Sequence, residues 1–121
     1  MVIPVFEIAD YAEAVRFYVD WLGFREDWTF KSESNRTVYT QISKGNITLH
    51  LTDDRLEHNP GKALVAVEGL QRYYTQLIDT NPAYQKPQLG QSPWNSIEME
   101  VVDPFENRLL FNEDVPARAI A

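Results

Sequence analysis

The chain has 121 residues, of which 44% are hydrophobic and 24% charged, with no cysteine and a formal net charge of −7. That length is one domain with a single sizeable core, and the absence of cysteine excludes disulfides and thiolate metal sites. The negative charge disfavours nucleic-acid backbones and anionic membranes, which it repels at long range. It suits a cationic ligand, or simply solubility. No stretch approaches the roughly 20 apolar residues that span a bilayer. The start, MVIPVFEIAD, lacks the basic and long apolar regions of a signal peptide, so a cytoplasmic protein is expected.

Residues 2–8, VIPVFEI, alternate and are rich in strand formers. Asp10 then reads as the N-cap of a helix in which Ala12, Val15, Phe17, Tyr18 and Leu22 fall at helical spacing, with Gly23 as its stop. FREDWTF and TVYTQIS read as strands, and the turn KGN leads into ITLHLTDD, the clearest alternation in the chain. Asn59-Pro60-Gly61 marks a loop. The order then begins again: KALVAVEG as a strand, LQRYYTQLIDT as a helix, a proline-broken connection to Trp94, and two strands around the turn DPFEN.

EIADYAEAVRFY in the first half parallels VAVEGLQRYYTQL in the second, so the simplest reading is one supersecondary unit used twice. Each helix covers one face of its sheet and leaves the other. Ile47, Leu49, Leu51, Ile97, Met99, Val101, Leu109 and Phe111 are the set expected under the helices. The opposite parity carries Tyr39, Gln41, Thr48, His50, Thr52, Glu98, Glu100, Arg108 and Asn112. Alternation alone does not say whether that polar set is outer skin or the wall of a cleft.

Several residues on that side have the chemistry of a binding site. Trp94, beside Pro93, offers a flat rigid surface for a planar or cationic ligand, or else packs into a subunit seam or its own loop. His50 suits a hydrogen bond or a proton carrier near neutral pH, but has no second ligating residue beside it. Glu98 and Glu100 lie one pleat repeat apart, so a cation between them is expected: a ligand amine, or Arg108 across the hairpin. Glu7 shares the parity of Ile3 and is a candidate to face inward. Trp28 and Phe30 read as core or subunit-interface aromatics.

Four segments in order, AVRFYVDWLGF, ITLHL, PW before a strand and DPFENRLLFNE, resemble the bleomycin-resistance branch of the glyoxalase, or vicinal oxygen chelate, superfamily. The resemblance covers nearly the whole chain. It implies an α+β fold of two βαβββ modules, about 1–58 and 59–121, within a single domain. Their curved mixed sheets are expected around a cleft. It also implies a homodimer, with exchange of strands between subunits left open.

The implied function is sequestration of a cationic, aromatic antibiotic in a groove at the dimer interface, by binding rather than catalysis and with no cofactor. Alternatives are a lyase, isomerase or dioxygenase of the same superfamily, or a dimeric module without a small-molecule ligand. Tyr39 matches a position where bleomycin-binding relatives present a stacking aromatic. The ligand-binding set is therefore Trp94, Tyr39, His50, Glu98, Glu100 and Arg108.

The metal-ligand positions of the superfamily's enzymes fall on Ile3, His50, Lys62 and Leu110. Ile and Leu do not ligate, and an ammonium repels a cation. One imidazole makes no site, and His58 lies in a loop, so neither a metal nor a catalytic residue is expected. Asn95 and Glu106 stand where relatives commonly have Gly. Asn95 tolerates positive φ, and Asn107 is expected to take the strained position of the second turn.

Overall fold

The computed structural model describes residues 1–34, 38–54, 59–80 and 87–115. His58 and residues 81–86 of the proline-broken connection lie outside the described residues. In chain order the elements are β1 (Val5–Glu7), helix α1, β2 (Arg25–Lys31), β3 (Val38–Lys44), β4 (Ile47–Thr52), β5 (Lys62–Ala66), α2 (Leu70–Thr80), β6 (Leu89–Gln91), β7 (Ser96–Val102) and β8 (Arg108–Asp114). Helix α1 is α-helical over Tyr11–Val15 and continues in π-helical turns over Arg16–Trp21.

Two four-stranded mixed sheets result, ordered β1-β4-β3-β2 and β5-β8-β7-β6. In each, the strand before the helix pairs parallel with the last strand, and the remaining pairs are antiparallel. The fold is α+β, built from two βαβββ modules. Two compact units can be separated. One is Met1–Gly61 together with the turn Asp103–Asn107, and the other is Lys62–Val102 with the chain from Arg108 onward.

Local chemistry explains both helices. Asp10 is the N-cap of α1, its carboxylate accepting the Glu13 N–H at 2.9 Å. Gly23, at φ +87°, ends the helix, and the Phe24 N–H reaches back to the Tyr18 carbonyl at 2.9 Å. The widened turns bury Phe17, Tyr18 and Trp21 together, where regular α-helical spacing was expected. In α2 the cap comes from afar: the Glu113 carboxylate accepts the N–H groups of Gly69 and Leu70 at 2.8 and 3.0 Å.

The parity expected beneath the helices is the buried one. Ile47, Leu49, Leu51, Met99, Val101, Leu109 and Phe111 are all buried, each removing apolar area worth about 1.5–3 kcal/mol from water. Ile97 is only half-buried, being opposite Gln91 on the short edge strand β6. That strand is missed by the sequence reading: three residues around Gly90 carry too little alternation to register.

The turn Asp103–Asn107 is densely hydrogen-bonded. Asp103 is buried and accepts from the Tyr18 hydroxyl (2.7 Å), the N–H groups of Phe105 and Asn107 (2.8 Å each) and the Asn107 side-chain amide (2.8 Å). Asn107 also donates to the Glu7 carbonyl at 2.7 Å and accepts from the Gly61 N–H at 2.8 Å. Gly61 is required there, since a Cβ would lie 2.7 Å from the Phe6 ring. The positive φ expected at Asn107 belongs instead to Glu106, at +72°. Asn107 is held by its three side-chain partners, so the exposed Glu106 takes the strain.

Candidate functional site

The open face of the first sheet is set by a β-bulge. The β2–β3 register slips between Glu26 and Trp28, so Trp28 pairs with Gln41 and Phe30 with Tyr39. This inverts the parity of β2 and puts Trp28 and Phe30 on the face away from α1, 45% and 60% exposed. Of the two places expected for them, core or subunit interface, the slip rules out the core. The Trp28 and Tyr39 rings lie parallel within 9°, centroids 6.0 Å apart, and both meet the His50 ring edge-on.

Polar groups beneath those rings form a chain. The Tyr39 hydroxyl lies 2.8 Å from His50 Nδ1, and His50 Nε2 lies 2.9 Å from Gln41 Oε1. Gln41 Nε2 donates to Asp27 Oδ2 at 3.0 Å, while Ser43 and Arg25 both donate to Asp27 Oδ1 at 3.0 Å. The bonds from Gln41 and then Ser43, followed by the Arg25 guanidinium, hold the Asp27 carboxyl below its ordinary value. Glu7 does not join this group; its carboxylate accepts the Asn59 N–H at 3.1 Å.

On the second sheet the open face is an ionic groove. Arg108 donates to Glu100 at 2.5 Å, and the Lys62 ammonium lies 3.7 Å from the same carboxylate. Glu98, Val102, Leu110 and Pro87 join them around a groove of about 750 Å³. Of the two carboxylates expected to share a cation, Glu100 therefore has two internal partners.

Trp94 stands on the loop before β7 and is 68% exposed. Its loop is nevertheless fixed. The hydroxyls of Ser92 and Ser96 lie 2.6 Å apart, Asn112 donates to Ser96 at 2.8 Å, and all three residues are buried. Asn95 takes φ +65°, the glycine-like conformation expected of it, and its carbonyl accepts the Val115 N–H at 3.0 Å. Thr52 and Asn112, placed by parity among open-face residues, are buried at 7% and 8% exposure.

The structure thus joins Tyr39 to His50 on one sheet and Glu100 to Arg108 on the other, with Glu98 in the same groove and Trp94 on the adjoining loop. The residues missed were Asp27 and the exposed pair Trp28 and Phe30. The available signal was the acidic residue inside FREDWTF, which interrupts the strand pattern where the bulge falls.

A metal of the superfamily's enzymes does not fit these residues. Both nitrogens of His50 are engaged by Tyr39 and Gln41, and Lys62 supplies an ammonium beside Glu100. Ile3 and Leu110 have no ligating atoms. Among the described residues no three His, Cys, Asp or Glu side chains are gathered so as to hold an ion.

A family model described as glyoxalase superfamily protein matches residues 1–118. The chain belongs to the glyoxalase superfamily. Among solved structures it resembles the bleomycin-binding protein of Streptomyces verticillus in complex with copper(II)-bleomycin, at 21% identity and a TM-score of 0.70, with 95% of each chain covered. The bleomycin resistance determinant encoded on transposon Tn5 is 13% identical, with a TM-score of 0.72 over 96% of this chain and 98% of that one. A glyoxalase/bleomycin resistance protein/dioxygenase from Alicyclobacillus acidocaldarius is 15% identical, with a TM-score of 0.69 over 100% and 96%. At these identities the likeness is one of fold. No curated protein matches the chain.

Proposed function

We propose that this glyoxalase-superfamily protein binds a small cationic, aromatic molecule of the bleomycin type without transforming it. It does so as a cytoplasmic homodimer whose ligand groove is completed by the second subunit, each chain being one domain of modules about 1–58 and 59–121. Trp94, Tyr39, His50, Glu98, Glu100 and Arg108 are the residues assigned to the ligand.

The observation that carries this reading is Trp94: an indole 68% exposed on a loop held by three buried hydrogen-bonded side chains. A ring held in water by a rigid loop loses little entropy on stacking with a ligand. Glu98 supplies a carboxylate for the ligand's cation. Glu100, already neutralised by Arg108 and Lys62, offers directed hydrogen bonds rather than net charge. The net charge of −7 draws a cation at long range.

Isothermal titration with bleomycin tests the reading. Saturable heat, with the drug recovered chemically intact, is the expected outcome. Silence up to about millimolar drug, a binding energy near 4 kcal/mol, discards the antibiotic and leaves the fold untouched.

A second reading is favoured by the exposure of Val5 (50%), Trp28 (45%), Phe30 (60%) and Leu64 (59%). Apolar area of this kind is what a subunit covers. If dimerisation is the whole role of these faces, the purified protein is a dimer that gives no heat with bleomycin.

A further inference from the structure

With His50 as the neutral imidazole, the hydrogen-bond chain on the first sheet has only one consistent direction. An ionised Asp27 carboxylate only accepts, so the Gln41 amide must turn its nitrogen to Asp27 and its oxygen to His50. An oxygen facing Nε2 requires the proton on Nε2, which leaves Nδ1 of the neutral imidazole as an acceptor. The Tyr39 hydroxyl must then donate inward to Nδ1. Its proton is committed, and only its oxygen lone pairs are left for anything arriving from solvent. Ser43 and Arg25 saturate the other Asp27 oxygen, so the Gln41 amide is not free to turn round, and the neutral His50 keeps its proton on Nε2.

We propose that this relay makes Tyr39 a dedicated hydrogen-bond acceptor, so that the first sheet selects a flat cation bearing N–H groups, such as an amidinium or guanidinium, laid against the exposed Trp28 ring. The Trp28 face attracts the cation, and the Tyr39 oxygen decides its hydrogen-bonding type. His50, Gln41 and Asp27 act through Tyr39 as positioning residues. This inference rests on the ligand-binding reading above, and it names the ligand's functional group.

Three probes of one ring size separate the contributions: benzamidine (cation with N–H donors), phenyltrimethylammonium (cation without them) and benzoate (anionic acceptor). Long-range proton–nitrogen NMR of the wild-type chain at mildly alkaline pH is expected to show His50 protonated on Nε2. Benzamidine should then shift Trp28 and Tyr39 resonances saturably, phenyltrimethylammonium should bind about tenfold more weakly, and benzoate should shift neither. In Tyr39→Phe the benzamidine affinity should fall about tenfold, to the level of phenyltrimethylammonium, which itself should not change. Gln41→Leu should erase the same preference while Tyr39 remains in place.

A proton on Nδ1, equal binding of benzoate and benzamidine, an unchanged Tyr39→Phe affinity, or no shift with any probe overturns the proposal. The tautomer measurement needs no variant, so misfolding of a variant does not protect the idea. A chain that binds bleomycin but carries the Nδ1 proton keeps the antibiotic reading and loses this inference. One that passes the probe tests but ignores bleomycin does the reverse.

Discussion

The two sheets share a topology and a register yet present opposite chemistry on their open faces. Val5 pairs with His50 in the first and Leu64 with Leu110 in the second; Gln41 lies opposite His50, and Glu100 opposite Leu110. At the same register positions one sheet has an imidazole satisfied by an amide. The other has an aliphatic residue beside a carboxylate that turns to Arg108 and Lys62. The helix-covered faces, by contrast, share a buried apolar row: Ile47, Leu49 and Leu51 in the first sheet, Met99, Val101, Leu109 and Phe111 in the second. Duplication preserves what the core requires and leaves the open faces free to diverge, which is where sites on a shared fold are made.

The largest expected effect lies in the framework of the first unit. Asp103→Ala removes the acceptor of four hydrogen bonds, and the buried Tyr18 hydroxyl loses its partner. Urea unfolding should show a loss of about 3 kcal/mol. The same residue gives a pH signature. Burial raises its carboxyl above the ordinary 3.8, against hydrogen bonds that lower it. Its native state therefore binds the proton more readily than the unfolded chain. The contribution is complete below about pH 4 and disappears as pH rises through the folded value. Wild-type stability measured against Asp103→Asn across acid pH should show that slope; parallel curves would contradict it.

Next comes the second sheet's presentation of Trp94. If Trp94 stacks on the ligand as proposed, Trp94→Ala should weaken bleomycin binding by about 2 kcal/mol; the ring is exposed, so unfolding stability should change by less than about 0.5 kcal/mol. Asn112→Ala should cost about 1.5 kcal/mol of stability by leaving the buried Ser96 hydroxyl without its donor. Thr52→Ala, at the matching position of the first sheet, should cost less, since among the described residues its hydroxyl accepts only the Asp54 N–H, at 3.1 Å. Equal costs would remove one contrast between the sheets.

The smallest effect sharpens the comparison by its smallness. Glu100→Gln breaks pairs whose members are 35–60% exposed, so stability should fall by less than about 0.5 kcal/mol, and by less still in high salt. A loss above about 1 kcal/mol would mean that the groove is far drier than its exposure indicates.

Much of the fold was legible because burial leaves a period in the sequence. Asp10 and Gly23 bracket α1, residues 70–80 form α2, and Leu49, Leu51, Met99 and Phe111 lie where alternation puts them. The open faces were less legible because nothing periodic marks a bulge. One extra residue at Asp27 moves Trp28 and Phe30 to the opposite face. Hydrogen bonds between strands, such as Gln41 to Asp27, depend on that register and leave no trace in composition. Glu106 was misread for a related reason: two of the three side-chain bonds that fix Asn107 come from residues far away in sequence, Glu7 and Gly61.

The central claim is that ligand is held on the open faces, by rings and carboxylates, with the helix-covered faces uninvolved. Nitrogen-15 NMR titration of the full chain with bleomycin measures this residue by residue. The account predicts saturable shifts concentrated at Tyr39, His50, Trp94, Glu98 and Glu100, with Leu49, Met99 and Phe111 unmoved. Shifts confined to α1 and α2, or a spectrum that does not respond, would contradict it.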